Sequence, residues 1–130
     1  MDDLTSAARP ADESATDASW PPALDALVAA PEHHTLLFEN AAVRVLDTRI
    51  APGHRTPVHT HRWPGVLYVL GWSAFVRRDA AGNVLMDSRT AGGPPPSQAL
   101  WSPPLPPHSL ENVGTADIHV ISVELKQVAI

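Results

Sequence analysis

From His34 onward the apolar positions of the chain fall in short runs that alternate with polar ones and break at glycine, proline and asparagine. HTLLFEN, AVRVLDTRI, PVHTH, GVLYVL, WSAFVRR, NVLMDSR, QALWSP and DIHVISVEL are rich in β-branched and aromatic residues, a composition that suits a pleated, half-buried surface. The breaks lie at Glu39-Asn40, Pro52-Gly53, Ala81-Gly82-Asn83, the Gly92 to Pro96 loop and Gly114. About eight short strands at regular spacing predict a sandwich or small barrel. Pro103 to Pro107 reads as a stiff extended segment excluded from any central ladder, because proline has no N–H to donate. No internal repeat of fixed period is present.

Ahead of the strands, PPALDALVAA (21–30) fits a short helix with proline in its first turn, closed by Pro31 and burying Leu24, Leu27 and Val28. Residues 1–20 are small, polar and acidic, and predict a disordered tail, since so few apolar groups cannot offset the entropy of ordering. The chain thus divides into a disordered acidic tail (1–20), a short helix and lead-in (21–34) and a β domain (35–130).

Composition narrows the function classes. With 130 residues, 44% of them hydrophobic and 18% charged, one domain with its own core is expected. The absence of cysteine excludes disulfides, thiolate metal sites and cysteine nucleophiles. Most of the net charge of -5 comes from Asp2, Asp3, Asp12, Glu13 and Asp17 against Arg9. The nearly neutral remainder carries no run of basic residues, and so no electrostatic footprint for nucleic acid or an anionic membrane. No window approaches the roughly 20 apolar residues of a membrane span, and the first residues lack a basic start and an apolar stretch, so a cytoplasmic protein is expected.

The chemistry concentrates in GHRTPVHTHRWPGVLYVLG, where His59 and His61 precede an apolar run. Pro57 and Pro64 oppose a helix through the pair, and on a strand residues two apart share a face. A third histidine from a distant strand would complete a metal site, and His108 in WSPPLPPHSLEN is the candidate, with prolines before it to limit its freedom. Three neutral imidazoles would hold a divalent cation and leave positions open for water or substrate.

At these residues the chain resembles the cupin family. Gly53, His59 and His61 match the first cupin motif, and Pro103, His108 and Asn112 match the second; the resemblance spans roughly residues 35 to 126 and is nearest to small single-domain bacterial cupins. It implies an all-β fold, a double-stranded β-helix or jelly-roll barrel with a short N-terminal helix. It also implies His59, His61 and His108 as metal ligands, and a divalent transition metal (Fe, Mn, Zn or Ni). The family's glutamate after the second histidine is missing, Gly65 and Val66 standing there, as in some three-histidine cupin dioxygenases. The motif glycines are replaced by Trp72 and Leu105. Glu39, Glu111 and Glu124 are candidates to replace the carboxylate from another strand.

The function so implied is that of a metal-dependent cupin, an oxygenase or isomerase-type enzyme acting on a small organic acid. The alternative is a non-catalytic small-molecule binding or sensing domain; no general base is evident in either motif. Small cupins commonly pair, so a homodimer across the N-terminal helix and HTLLFEN is expected. His54, His33, His34 and His119 read as surface or strand-start residues, a role beside the metal or at a subunit contact being open to His33 and His34. Trp63, Tyr68, Trp72, Phe75 and Trp101 are candidate cavity walls. Arg44, Arg49, Arg62 and Arg77 are candidate carboxylate clamps, and Asn112 is read as holding the turn after His108.

Overall fold

The computed structural model describes residues 20–91 and 98–126. The expected acidic tail (to residue 19) and the Gly92 to Pro96 loop lie outside them. Among the described residues nine strands form: β1 (His34–Glu39), β2 (Val43–Ile50), β3 (His59–His61), β4 (Gly65–Gly71), β5 (Phe75–Asp79), β6 (Val84–Asp87), β7 (Ala99–Ser102), β8 (Leu105–Asn112) and β9 (Ile118–Leu125). They make two antiparallel sheets, one in the order β1-β2-β9-β4-β7 and the other β3-β8-β5-β6. No helix among the described residues is long and apolar enough to cross a membrane.

The pattern along β9 shows why one end of the sandwich is dry and the other polar. Alternation puts Ile118, Val120, Ser122 and Glu124 on its buried face, so that face changes from aliphatic to polar along the strand. Its neighbour β2 follows in register, with Ile50 opposite Ile118 and Arg44 opposite Glu124. Ile50, Phe75, Ile118 and Val120 form the apolar core, with Leu67, Val69, Trp72 and Leu110 packed against it. Gly65 opens β4 where β9 passes so closely that a Cβ would run into the Val123 carbonyl, which restricts the position to glycine.

Two sequence expectations are corrected. The helix over 21–30 is broken into a 3-10 turn, Pro22–Leu24, and a single turn α1, Ala26–Ala29. Asp25 between them is extended (ψ 143°), caps the Leu27 N–H with its carboxylate and binds Arg44. The buried residues are Ala26 and Ala30, while Val28 is 63% exposed. Local periodicity yielded here to an ion pair whose partner lies on β2.

The second correction is β8. Despite its prolines, LPPHSLEN lies between β3 and β5 in its sheet. Pairing to β5 begins only at His108, opposite Asp79, and on the other side β3 pairs through His59↔His108 and His61↔Leu105 with a register shift between them. Pro106 and Pro107 occupy that irregularity, where the ladder asks for no N–H, as bulges allow.

Candidate metal centre

At the polar end of the sandwich four histidines converge. His59 and His61 come from one strand, their ring centroids 5.1 Å apart. His108 sits across the ladder from His59, with centroids at 4.4 Å, and lies 5.9 Å from His61. The structure thus brings the three sequence candidates together. It adds a residue the sequence reading had placed at a strand start without assigning it to the site: His34, 4% exposed, lies 4.7 Å from His59 and 5.2 Å from His61. Candidate ligating atoms of His34, His59 and His61 all lie within 4.8 Å of one another.

Each imidazole is tied down through the same nitrogen. Nδ1 lies 2.8 Å from the Pro57 carbonyl in His59, 2.7 Å from the Pro106 carbonyl in His108 and 3.0 Å from the Ala30 carbonyl in His34. In His61 it lies 2.8 Å from Glu124 Oε2. A carbonyl only accepts, so in His34, His59 and His108 the proton belongs on Nδ1 and Nε2 keeps its lone pair; the Glu124 carboxylate imposes the same tautomer on His61. Such a carboxylate or carbonyl partner is what orients metal-binding histidines and raises their basicity.

Glu124 is the one of the three suggested carboxylates that reaches this end. It is 3% exposed, and its other oxygen accepts from Arg44 Nε at 2.7 Å. Arg44 in turn holds Asp25 through two hydrogen bonds of 3.0 Å. Glu39 pairs with Lys126 and Glu111 with Arg78 instead. Asn112, fully buried, donates to the Ile50 and Ala116 carbonyls and accepts from Gly114, which holds the turn after β8 as expected.

The other sequence candidates separate. Trp63 and Trp72 line a cavity of about 110 Å³ next to the histidines, together with Leu67, Leu110 and Arg77. Phe75 is in the core, while Tyr68 and Trp101 point outward, 44% and 60% exposed. Arg49 pairs with Asp47, and Arg62 stacks on Trp63. His54 is exposed, His33 bonds the Arg49 carbonyl and His119 meets Asp47. The edge strand β1 leaves Leu36, Leu37 and Phe38 between 43% and 54% exposed.

Burial in this cluster disfavours positive charge. Desolvation first, then the neighbouring imidazoles, pushes the His59 pKa down to about 2. Desolvation is also the largest cause that takes His34 and His108 down to about 4. These folded values lie below the roughly 6.5 of an imidazole in the unfolded chain, so on acidification the unfolded chain takes up protons first. Stability of the metal-free protein is therefore full above about pH 6.5 and is lost as pH falls toward about 4. Thermal midpoints measured from pH 8 to 4.5 should decline over that window; a flat profile would show that the rings are not desolvated in this way.

No protein-family model matches the chain, and the comparison with curated proteins finds no match. Among solved structures, a cupin domain from Bordetella pertussis Tohama I is similar with a TM-score of 0.54 and 20% identity, over 72% of this chain and 92% of that one. An RmlC-like cupin family protein with a double-stranded β-helix fold from Methanocaldococcus jannaschii is similar with a TM-score of 0.50 and 10% identity, over 71% and 77% of the two chains. Its two antiparallel sheets and their likeness to these structures show that the chain has the double-stranded β-helix fold of the cupins.

Proposed function

We propose that the protein is a metal-dependent cupin in which Nε2 of His59, His61 and His108, joined by His34, holds one divalent transition ion at the mouth of a small-molecule cavity. The observation that carries this reading is the common tether of all four Nδ1 atoms, which leaves each Nε2 free to face an ion. An all-imidazole set suits iron, zinc or nickel, and His34 would supply a further ligand in place of the missing glutamate. When bound, such an ion supplies a Lewis acid for a substrate oxygen or, if iron, a centre for dioxygen chemistry. The chain's own part is to fix the donors, keep them unprotonated and wall the cavity with Leu67, Trp72 and Leu110.

Metal analysis of untagged protein tests the proposal. About one ion per chain is expected, with a rise in the thermal midpoint on adding Fe²⁺, Mn²⁺, Zn²⁺ or Ni²⁺; no bound ion and no shift with any of them would sink it. One observation favours a binding or sensing role over catalysis: Glu124 is the only carboxylate among the described residues that line the cavity, and both of its oxygens are engaged. Stabilisation by metabolites without turnover would decide for that second reading.

A further inference from the structure

We propose that Arg77 is the anchor for the ligand's carboxylate, and that the cavity takes a small monocarboxylate with an apolar body. The inference deepens the preceding proposal and rests on it for the cavity's role as a ligand site, though not for the source of the anion's affinity.

Arg77 projects from β5 into the same cavity that the histidines line. Its Nε is buried and has no hydrogen-bond partner among the described residues. Burial alone sets the direction of its pKa, which is lowered, with no carboxylate beside it to raise it. Arg44, Arg49, Arg78 and Arg89 each meet an aspartate or glutamate; Arg62 also has a buried Nε without a partner among the described residues, but it stacks on Trp63 and does not line this cavity. A half-buried guanidinium whose buried Nε meets no anion is costly, because that lost hydration is not replaced. A core leucine or methionine would fill the position on β5 at lower cost, opposite Leu110 and two residues from the core residue Phe75. Only a weak contact with the Phe75 ring, 5.9 Å from the guanidinium carbon, offsets the charge.

The surroundings define the ligand. Arg77 and His108 line the same cavity from the paired strands β5 and β8, so an anion on Arg77 shares the cavity with the histidines. Four neutral imidazoles leave a divalent ion its full charge, and Glu124 is already held by Arg44 and His61. The site therefore carries unmatched positive charge from both the ion and the guanidinium. Elsewhere the walls are mainly apolar, Ile50, Leu67 and Leu110 among them, with Thr48, Ser102 and Ser122 adding the few polar groups, so most of the ligand's body meets apolar surface. A planar guanidinium matches a carboxylate with two parallel hydrogen bonds.

Titration calorimetry on the full chain tests the assignment, with butanoate, 3-methylbutanoate, benzoate and phenylacetate each set against its primary amide, on metal-free and Zn²⁺-loaded protein. At least one carboxylate should bind about tenfold or more tightly than its amide, from charge-assisted bonds the amide cannot make. Arg77→Met should abolish that preference with zinc content unchanged, and Arg77→Lys should keep part of it. The preference should persist in metal-free protein, so a failure of the metal proposal would leave it intact. Failure of all four acids to bind, equal binding of acids and amides, or an Arg77→Met protein that still prefers the acids would each overturn the assignment.

Discussion

His59→Ala protein is expected to leave purification without metal and still folded. His59 is the hub of the cluster, with ring centroids between 4.4 and 5.1 Å from those of His34, His61 and His108. Losing it removes one donor and the ring against which the other three pack. Loss of a residue that merely orients a ligand costs about 10 to 100-fold in metal affinity, and loss of a donor should exceed that. The fold should survive because Ile50, Phe75, Ile118 and Val120 form a core of their own. Metal content and circular-dichroism melts on wild type, His59→Ala and His108→Ala, purified side by side, read both halves. Full metal retention would remove His59 from the ligand set, and an unfolded chain would make the site structural.

The second large effect is expected at Arg44. Arg44→Met should destabilise the protein by about 3 to 5 kcal/mol, the range for breaking a buried ion pair by removing one partner. Arg44 is 5% exposed and Glu124 3%, so the carboxylate left behind stays largely desolvated and keeps only the His61 bond. Asp25 suffers less, being nearer the surface. For a domain of this size the loss corresponds to a fall in thermal midpoint of roughly 10 to 20 °C. The double replacement Arg44→Met with Glu124→Gln should recover part of it, since the stranded charge is then gone. A single variant that melts within a degree or two of wild type would show that the triad contributes little.

How far the sequence was legible depends on whether the deciding partner is local. Alternation and flanking prolines suffice to put His59 and His61 on one face of a strand, and the two cupin motifs suffice for His108 and for the fold. The doublet His33-His34 is different. One of the two must face inward on a strand, but which one is set by the pairing of His34 with Thr48 on β2, a register that no local signal contains. Glu124 could be placed on the inner face of IHVISVEL by alternation with Ile118 and Val120, yet its meeting with His61, 63 residues away, comes from sheet order. The prolines of β8 misled because their cost depends on whether a neighbouring strand asks for the missing N–H. The helix at 21–30 misled because Asp25 finds Arg44 only in the folded chain.

The N-terminal turn has a thermodynamic consequence. The Ala30 carbonyl at its end fixes His34, and Asp25 at its start fixes Arg44, which holds Glu124, which holds His61. The segment from Asp25 to Ala30 thus orients two of the four rings, His34 directly and His61 through Arg44 and Glu124. At the proposed metal site, docking of this segment and occupancy by an ion would form one linked equilibrium, and linkage is reciprocal: any factor by which the docked turn raises metal affinity is the factor by which metal raises the docking constant. Hydrogen exchange at Val28, Ala29 and Ala30, whose amides bond back into the turn, should slow when metal is added, so that a short surface turn with little core of its own reports the state of the barrel's interior.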